Sequence, residues 1–285
     1  MKYLIVIANG LTDRPIAEKD NKTPLQLADT PNLDQMVRMG HTGSVQTIPE
    51  SHHVGNDISY LSLLGYDPVQ YDVAPAYYDA LAMGVNLKES EIPLSCDFVT
   101  LQSSHNDMVM KDYTADHLSC EEAKGYLQAL QEQVSDCDVT FYPGQGYHNL
   151  MVIKSEPFSK RLTPPDELTG EGIRNFMPSD DQFKELIYVM NQAQIILHSH
   201  PVNQQRKREN RDPVNSIWLW GNGNAGALPS FEKKFGKPAT LISASLLFQG
   251  MARAASMNVV SVEGATGFAD TNYEGKVKAA ISELK

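Results

Sequence analysis

Tyr3-Leu-Ile-Val-Ile-Ala-Asn9-Gly10 decides how the rest of the chain is read. Residues 3–8 carry no charge and no amide. A continuous apolar run of that length fits a strand covered by helices on both faces. Asn9-Gly10 closes it as a turn, since both residues tolerate a left-handed backbone. Such a strand belongs to a parallel α/β sheet, so helices should follow. Thr23-Pro24 and Thr30-Pro31 each place a capping hydroxyl before a proline at the first helical position. Leu33, Met36, Val37 and Met39-Gly40 then give an amphipathic helix with a glycine stop. Residues 43–48 read as a second strand, and 49–55 as the loop feeding a helix over 58–64.

Gly65-Tyr-Asp-Pro68 breaks that helix and opens a different pattern. Short strands are expected at 94–101 and 107–113, with Ser104-His-Asn-Asp107 as the turn. Ser119-Cys-Glu-Glu122 carries the serine and third-position glutamate of a capping box, heading a helix to about 134. Strands at 138–142 and 147–153 flank Pro143-Gly144. Antiparallel pairs with a helix describe an inserted α+β domain. Residues 155–181 read as loop, and 181–197 as a long amphipathic helix. Ser216-Ile-Trp-Leu-Trp220 then runs into Gly221-Asn-Gly223, followed by a strand at 239–244, a helix at 246–257, a strand at 258–262 and a helical stretch at 275–284. That alternation implies a parallel sheet again. The expected fold is α/β: a three-layer core from 1–64 and 214–285, short of its C-terminal strands, interrupted by a smaller α+β domain over 65–213.

The chain has 285 residues, enough for one large or two ordinary domains. Its 24 basic and 35 acidic residues give a net charge of −11, which argues against nucleic acid or an anionic membrane as partner. No stretch has the length of a membrane span, and the N-terminus shows no charged and apolar leader. Cys96, Cys120 and Cys137 share no metal-type spacing and are odd in number, so a reducing cytoplasm is the expected setting.

Several stretches carry a family resemblance. They are Lys22-Thr-Pro-Leu-Gln-Leu-Ala-Asp-Thr-Pro-Asn-Leu-Asp34, Leu61-Ser-Leu-Leu-Gly-Tyr-Asp-Pro68, His200-Pro-Val-Asn203, Asn215-Ser-Ile-Trp-Leu-Trp-Gly221, and Gly264-Ala-Thr-Gly267 with Asp270-Thr-Asn-Tyr-Glu274. In this order they resemble the archaeal-type, cofactor-independent phosphoglycerate mutases of the alkaline phosphatase superfamily. The resemblance implies an isomerase of glycolysis that interconverts 2- and 3-phosphoglycerate through a phosphoserine. Two divalent metals, manganese, zinc or magnesium, would activate the serine. The family's first metal aspartate falls at Asn9, and its serine falls at Asn56 in Val54-Gly55-Asn56-Asp57. The remaining ligands would come from a stretch beyond residue 285. The family's Tyr-Arg-His reads Tyr147-His148-Asn149 here, and its Thr-Pro-Pro-His-Asp reads Thr163-Pro164-Pro165-Asp166-Glu167. Its Gly-Arg-Ala-Pro-Leu-Glu reads Ala74-Pro75-Ala76-Tyr77-Tyr78-Asp79, without the arginine. By the same resemblance, Asp57, His117, Arg206 and Arg208 are substrate-binding residues.

Each position also has a plainer reading. Asn56 could cap the turn that follows it, and Asn9 could simply end a strand. An amide offers a metal only a neutral oxygen, and it has no transferable proton for phosphoryl attack. His52-His53 could bind a transition metal, but no third ligand is evident, so exposed loop histidines are the alternative. His117 could be a satisfied structural histidine. Arg206, Lys207, Arg208 and Arg211 suit an anion or a solvated helix face equally. Trp218 and Trp220 should face one side of their strand and pack. Gly221-Asn-Gly223 alone is weak evidence for a phosphate loop.

The expected protein is therefore mutase-like and non-catalytic, with no cofactor of its own. Its ligand would be a phosphorylated small acid. A second copy, or a partner covering an open sheet edge, is also expected. Two alternatives remain: an active metal-dependent mutase or phosphotransferase completed by a missing segment or partner chain, and a structural interaction module.

Overall fold

A computed structural model describes residues 1–50, 52, 54–104, 107–134 and 136–285. The element order begins with short α1 (Pro24–Leu27), α2 (Pro31–Met39), α3 (Asn56–Leu63) and α4 (Pro75–Met83). Then come β1 (Glu91–Ser104), β2 (Asp107–Asp112), α5 (Cys120–Gln133), β3 (Val139–Gln145) and β4 (His148–Lys154). The chain continues with α6 (Lys184–Ser199), α7 (Pro201–Arg208), β5 (Ser216–Trp220), α8 (Phe231–Phe235), β6 (Thr240–Ile242), α9 (Leu246–Ala254), β7 (Asn258–Val260) and α10 (Tyr273–Glu283).

β1 organises the larger layer. One edge pairs antiparallel with β4, and the other pairs antiparallel with β5, so Ser95, Cys96 and Asp97 are bonded on both sides. β2 continues along the second half of β1, and β3 closes the sheet beyond β4. Buried residues run without a break from Ile92 to Leu101, because helices cover both faces. The alternation along β4 shows the two layers. Met151 and Ile153 face the main core with Leu127, Leu130, Leu186 and Val189 of α5 and α6. Leu150 and Val152 face Ala76 and Ala80 of α4 instead.

The second unit is a parallel β6–α9–β7 crossover. Its core joins Tyr60 and Leu61 of α3, Tyr78 of α4 and Phe248 and Met251 of α9. Tyr60 stacks on Phe248 with ring centroids 4.1 Å apart. α4 is thus shared, with alanines toward the sheet and Tyr78 toward α9. A Cβ at Gly250 of α9 would stand 1.8 Å from the Tyr78 carbonyl oxygen, so only glycine permits this crossing.

The protein is of mixed α/β class, as its sequence implies, but several expected elements differ. Residues 3–8 and 43–48 form no strand. Tyr3, Leu4, Ile5 and Val6 are exposed, at 63%, 59%, 72% and 77%. A strand needs a bonded neighbour, and among the described residues none lies beside them. The strand at 216–220 exists but joins the antiparallel sheet through β1 rather than a parallel core. That moves it across the expected boundary at 214. α4 is an element that the residue pattern did not single out, although Pro75 at its first position and Gly84 at φ +70 are its start and stop. The turn over 104–107 includes His105 and Asn106, which lie outside the described residues.

Candidate functional site

A cleft of about 510 Å³ opens where the head of α3, the 161–167 segment and the end of β5 meet. Asn56, Asp57, Arg161, Thr163, Asp166 and Trp220 are among its lining residues. Two of the family-like stretches therefore converge here, Val54–Asp57 and Thr163–Glu167.

Asn56 opens α3 and is exposed to the cleft. It is not the cap: Gly55 holds that position, with extended backbone, and no side chain caps the helix. The capping role expected for the Asn56 side chain is thus absent. Its carbonyl accepts from Ser59 Oγ at 3.3 Å. Asp57 beside it is buried. Asn9 lies near the same helix, donating from Nδ2 to the Tyr60 hydroxyl at 2.9 Å. Tyr60 follows Asn56 by one helical turn, so the structure brings the two family positions to one helix face. Burial raises the Tyr60 pKa, and the Asn9 bond offsets part of that rise.

The cleft wall is braced by side chains. Asn222 is buried and accepts from the Leu162 amide at 2.9 Å while donating to the Lys160 carbonyl at 2.8 Å. Trp218 Nε1 donates to the Thr163 carbonyl at 2.8 Å. Gly221-Asn-Gly223 is therefore a bracing turn in this structure. Arg161 reaches the cleft and pairs with Asp72. The two tryptophans behave differently: Trp218 is buried, and Trp220 is half-buried and lines the cleft.

Arg206 is corrected by the structure. Its side chain is 1% exposed and every branch of its fork is used internally. Nε donates to the Asp212 carbonyl at 2.8 Å, Nη1 to Glu122 at 2.9 Å and Nη2 to the Ala115 carbonyl at 2.7 Å. A guanidinium buried and engaged at all three nitrogens does not face a substrate anion in this structure. Arg211 joins the same network, 3.0 Å from Asp116 and 3.2 Å from Glu122. Arg208 is exposed in the last turn of α7. His117 is exposed in a left-handed turn, φ +49, with its ring edge-on to Phe268 at 4.6 Å. Neither His117, Arg206 nor Arg208 lines the cleft. His52 is half-buried in the loop before α3, and His53 lies outside the described residues.

Three asparagines away from the cleft brace the scaffold. Asn203 bonds Tyr126, the Leu197 carbonyl and both backbone groups of Val214. Asn215 clasps the amide and carbonyl of Leu101 on β1. Asn149 holds the 144–147 turn, accepting from Gly144 and donating to Gly146 and Tyr147.

Sequence reading missed a cluster behind the cleft wall. His148 bridges two carboxylates, Asp97 at 2.5 Å from Nδ1 and Asp79 at 3.1 Å from Nε2. No sequence signal joins residues from α4, β1 and β4; only the sheet register does.

Comparison with known proteins agrees with this scaffold. A family described as 2,3-bisphosphoglycerate-independent phosphoglycerate mutase matches residues 38–203. A Geobacter sulfurreducens protein, named as a probable 2,3-bisphosphoglycerate-independent phosphoglycerate mutase, is 39% identical over the whole chain, which spans 71% of that relative. A Methanosarcina mazei mutase is 38% identical over the whole chain and 71% of its own length. The solved structure of the PH0037 protein from Pyrococcus horikoshii superposes with a TM-score of 0.67 at 26% identity, covering 96% of this chain and 65% of that one. The chain belongs to the 2,3-bisphosphoglycerate-independent phosphoglycerate mutase family.

Proposed function

We propose that this chain is a phosphoglycerate-mutase-like protein that does not catalyse the phosphoserine reaction. One observation supports this above others: the residue presented to the cleft at the head of α3 is Asn56. Its amide nitrogen is no nucleophile, and its oxygen cannot become an alkoxide. The metals that the resemblance implies do not fit the donors present. Asn9 and Asn56 offer neutral oxygens, and among the described residues no group of three or more His, Cys, Asp or Glu side chains is arranged to hold a metal ion. The cleft keeps the capacity to bind. Arg161, the helix start and the Thr163 region suit a phosphorylated small acid held weakly, in the cytoplasm, without nucleic acid or membrane as partner.

The test is incubation with 3-phosphoglycerate and manganese, with 2-phosphoglycerate measured by NMR and the protein weighed by mass spectrometry. No turnover and no phosphate adduct are expected, and Asn9→Asp with Asn56→Ser should gain neither. Steady conversion by the unaltered chain would overturn the proposal.

A second reading has its own support. The exposed Tyr3–Val6 run is apolar on both faces, and the chain spans 71% of the relatives named above. A partner chain that covers this run and supplies carboxylate and imidazole ligands would restore a metal-dependent mutase. In that case, manganese or zinc should raise the melting temperature of the assembled pair but not of this chain alone.

A further inference from the structure

Behind the cleft wall sits an ion cluster that the proposed function leaves unused. Asp97 of β1 stands opposite His148 of β4 in the sheet register, and Asp79 comes down from α4. Asp79 and Asp97 are 1% and 2% exposed. His148 touches both carboxylates, at 2.5 and 3.1 Å. Each carboxylate also holds a piece of the wall. Trp220 Nε1 donates to Asp97 Oδ2 at 2.8 Å, and Trp220 lines the cleft. Ser95 Oγ donates to Asp79 Oδ2 at 2.7 Å. A Cβ at Gly221 would meet that same Ser95 Oγ at 2.8 Å. Gly221 in turn accepts from the Ala76 amide at the start of α4, at 3.1 Å.

An imidazolium donates from both nitrogens, so each carboxylate receives a charged hydrogen bond. A neutral ring donates from one only. The other nitrogen would then face a carboxylate lone pair, and two buried anions would stand with no cation between them. Asp79 Oδ1 already has no partner among the described residues, so that carboxylate has little in reserve.

We propose that His148 is a positioning residue whose proton locks the Trp220–Gly221 wall to α4, so that access to the cleft changes when the proton leaves. The latch acts on the cleft that the proposed function assigns to the ligand, and its access consequence rests on that reading. The groups facing His148 are Asp79 from α4, Asp97 from β1 and the uncharged Trp220 indole from β5. Tyr147 beside it packs edge-on to Tyr113 of the segment after β2, and burial raises both phenols, so they stay neutral. Cys96 is neutral as well, its thiol pushed up by burial. Burial pulls the His148 pKa down, but the charges of Asp97 and Asp79 outweigh it and hold the pKa well above the ordinary 6.5. A raised value means the latch is fully set below 6.5 and is released as pH climbs through the folded-state value.

The chain has two tryptophans, so two indole N–H signals appear in a ¹⁵N spectrum. Trp218→Phe assigns them. On titration from about pH 6 to about pH 10, above the ordinary histidine range, the Trp220 signal should move with one inflection and the Trp218 signal should stay. His148→Gln should abolish the inflection. His148→Arg, with a permanent cation, should hold the Trp220 signal at its low-pH position throughout. The wild-type His148 ring carbons should titrate with the same midpoint as Trp220, which keeps the test decisive if a variant fails to fold. A Trp220 signal flat across this range, an inflection surviving in His148→Gln, or unequal midpoints would overturn the latch. None of these readouts uses a ligand, so turnover of phosphoglycerate would sink the proposed function and leave the latch standing.

Discussion

Arg206 shows what a single residue's type conceals. The run Arg206-Lys-Arg208 announces positive charge, yet only Arg206 turns inward, three residues after Asn203 on one buried helix face. Removing it takes the Arg206 donor from the Ala115 and Asp212 carbonyls and one of its charged partners from Glu122. Arg206→Gln should therefore destabilise the fold by about 3–5 kcal/mol in urea titration, whereas Arg208→Gln should stay within about 0.5 kcal/mol. The same network sets an acid limit. Burial raises the Glu122 carboxyl, but bonds from Arg206 and Ser119 outweigh it and hold the pKa below its ordinary 4.5. A lowered value gives stability that is present above 4.5 and lost as pH falls through the folded value. Glu122→Gln should flatten the fall in melting temperature below about pH 4.5. At Asn56 the side-chain chemistry, an amide with no hydroxyl, was legible, because it needs only the residue type. Its expected capping role was not, because Gly55 adopts the extended cap conformation and takes that place.

Elements were legible where their signals are local. Ser119 accepts from the Glu122 amide and Glu122 reaches back, as the capping box required, and Thr23 caps α1 in the same manner. The strands over 91–104, 139–145 and 148–154 also fall close to their expected places. What failed was relational. The 3–8 run has strand composition, but composition cannot supply a neighbour to bond. The pairing of β5 with β1 joins residues more than a hundred positions apart. The α4–α9 crossing was equally hidden, since Gly250 looks like an ordinary helix-interior glycine. In an exposed helix, glycine to alanine gains about 1 kcal/mol. Here the added methyl meets the Tyr78 backbone, so Gly250→Ala should lower stability by several kcal/mol, on the order of a core overpacking defect. Differential scanning calorimetry would read the sign directly, and a rise in melting temperature would contradict the crossing as described.

At the scale of the molecule, apolar surface is unevenly kept. The antiparallel sheet is covered on both faces, while Ile5 and Val6 of the N-terminal run and Met36 and Met39 of α2 stay exposed. Exposed contiguous apolar residues promote association. Ile5→Ser with Val6→Ser should reduce concentration-dependent association in sedimentation velocity and leave the melting temperature within about 2 °C, since neither side chain packs in the core. An unchanged sedimentation profile would locate any association elsewhere. The shared position of α4 carries one more consequence. Because one helix is a working part of both packing units, neither can come apart while the other stays whole. Heating should produce a single cooperative endotherm, and in hydrogen–deuterium exchange the slowest amides of the crossover and of the large sheet should open together, with α4 as the common hinge pin.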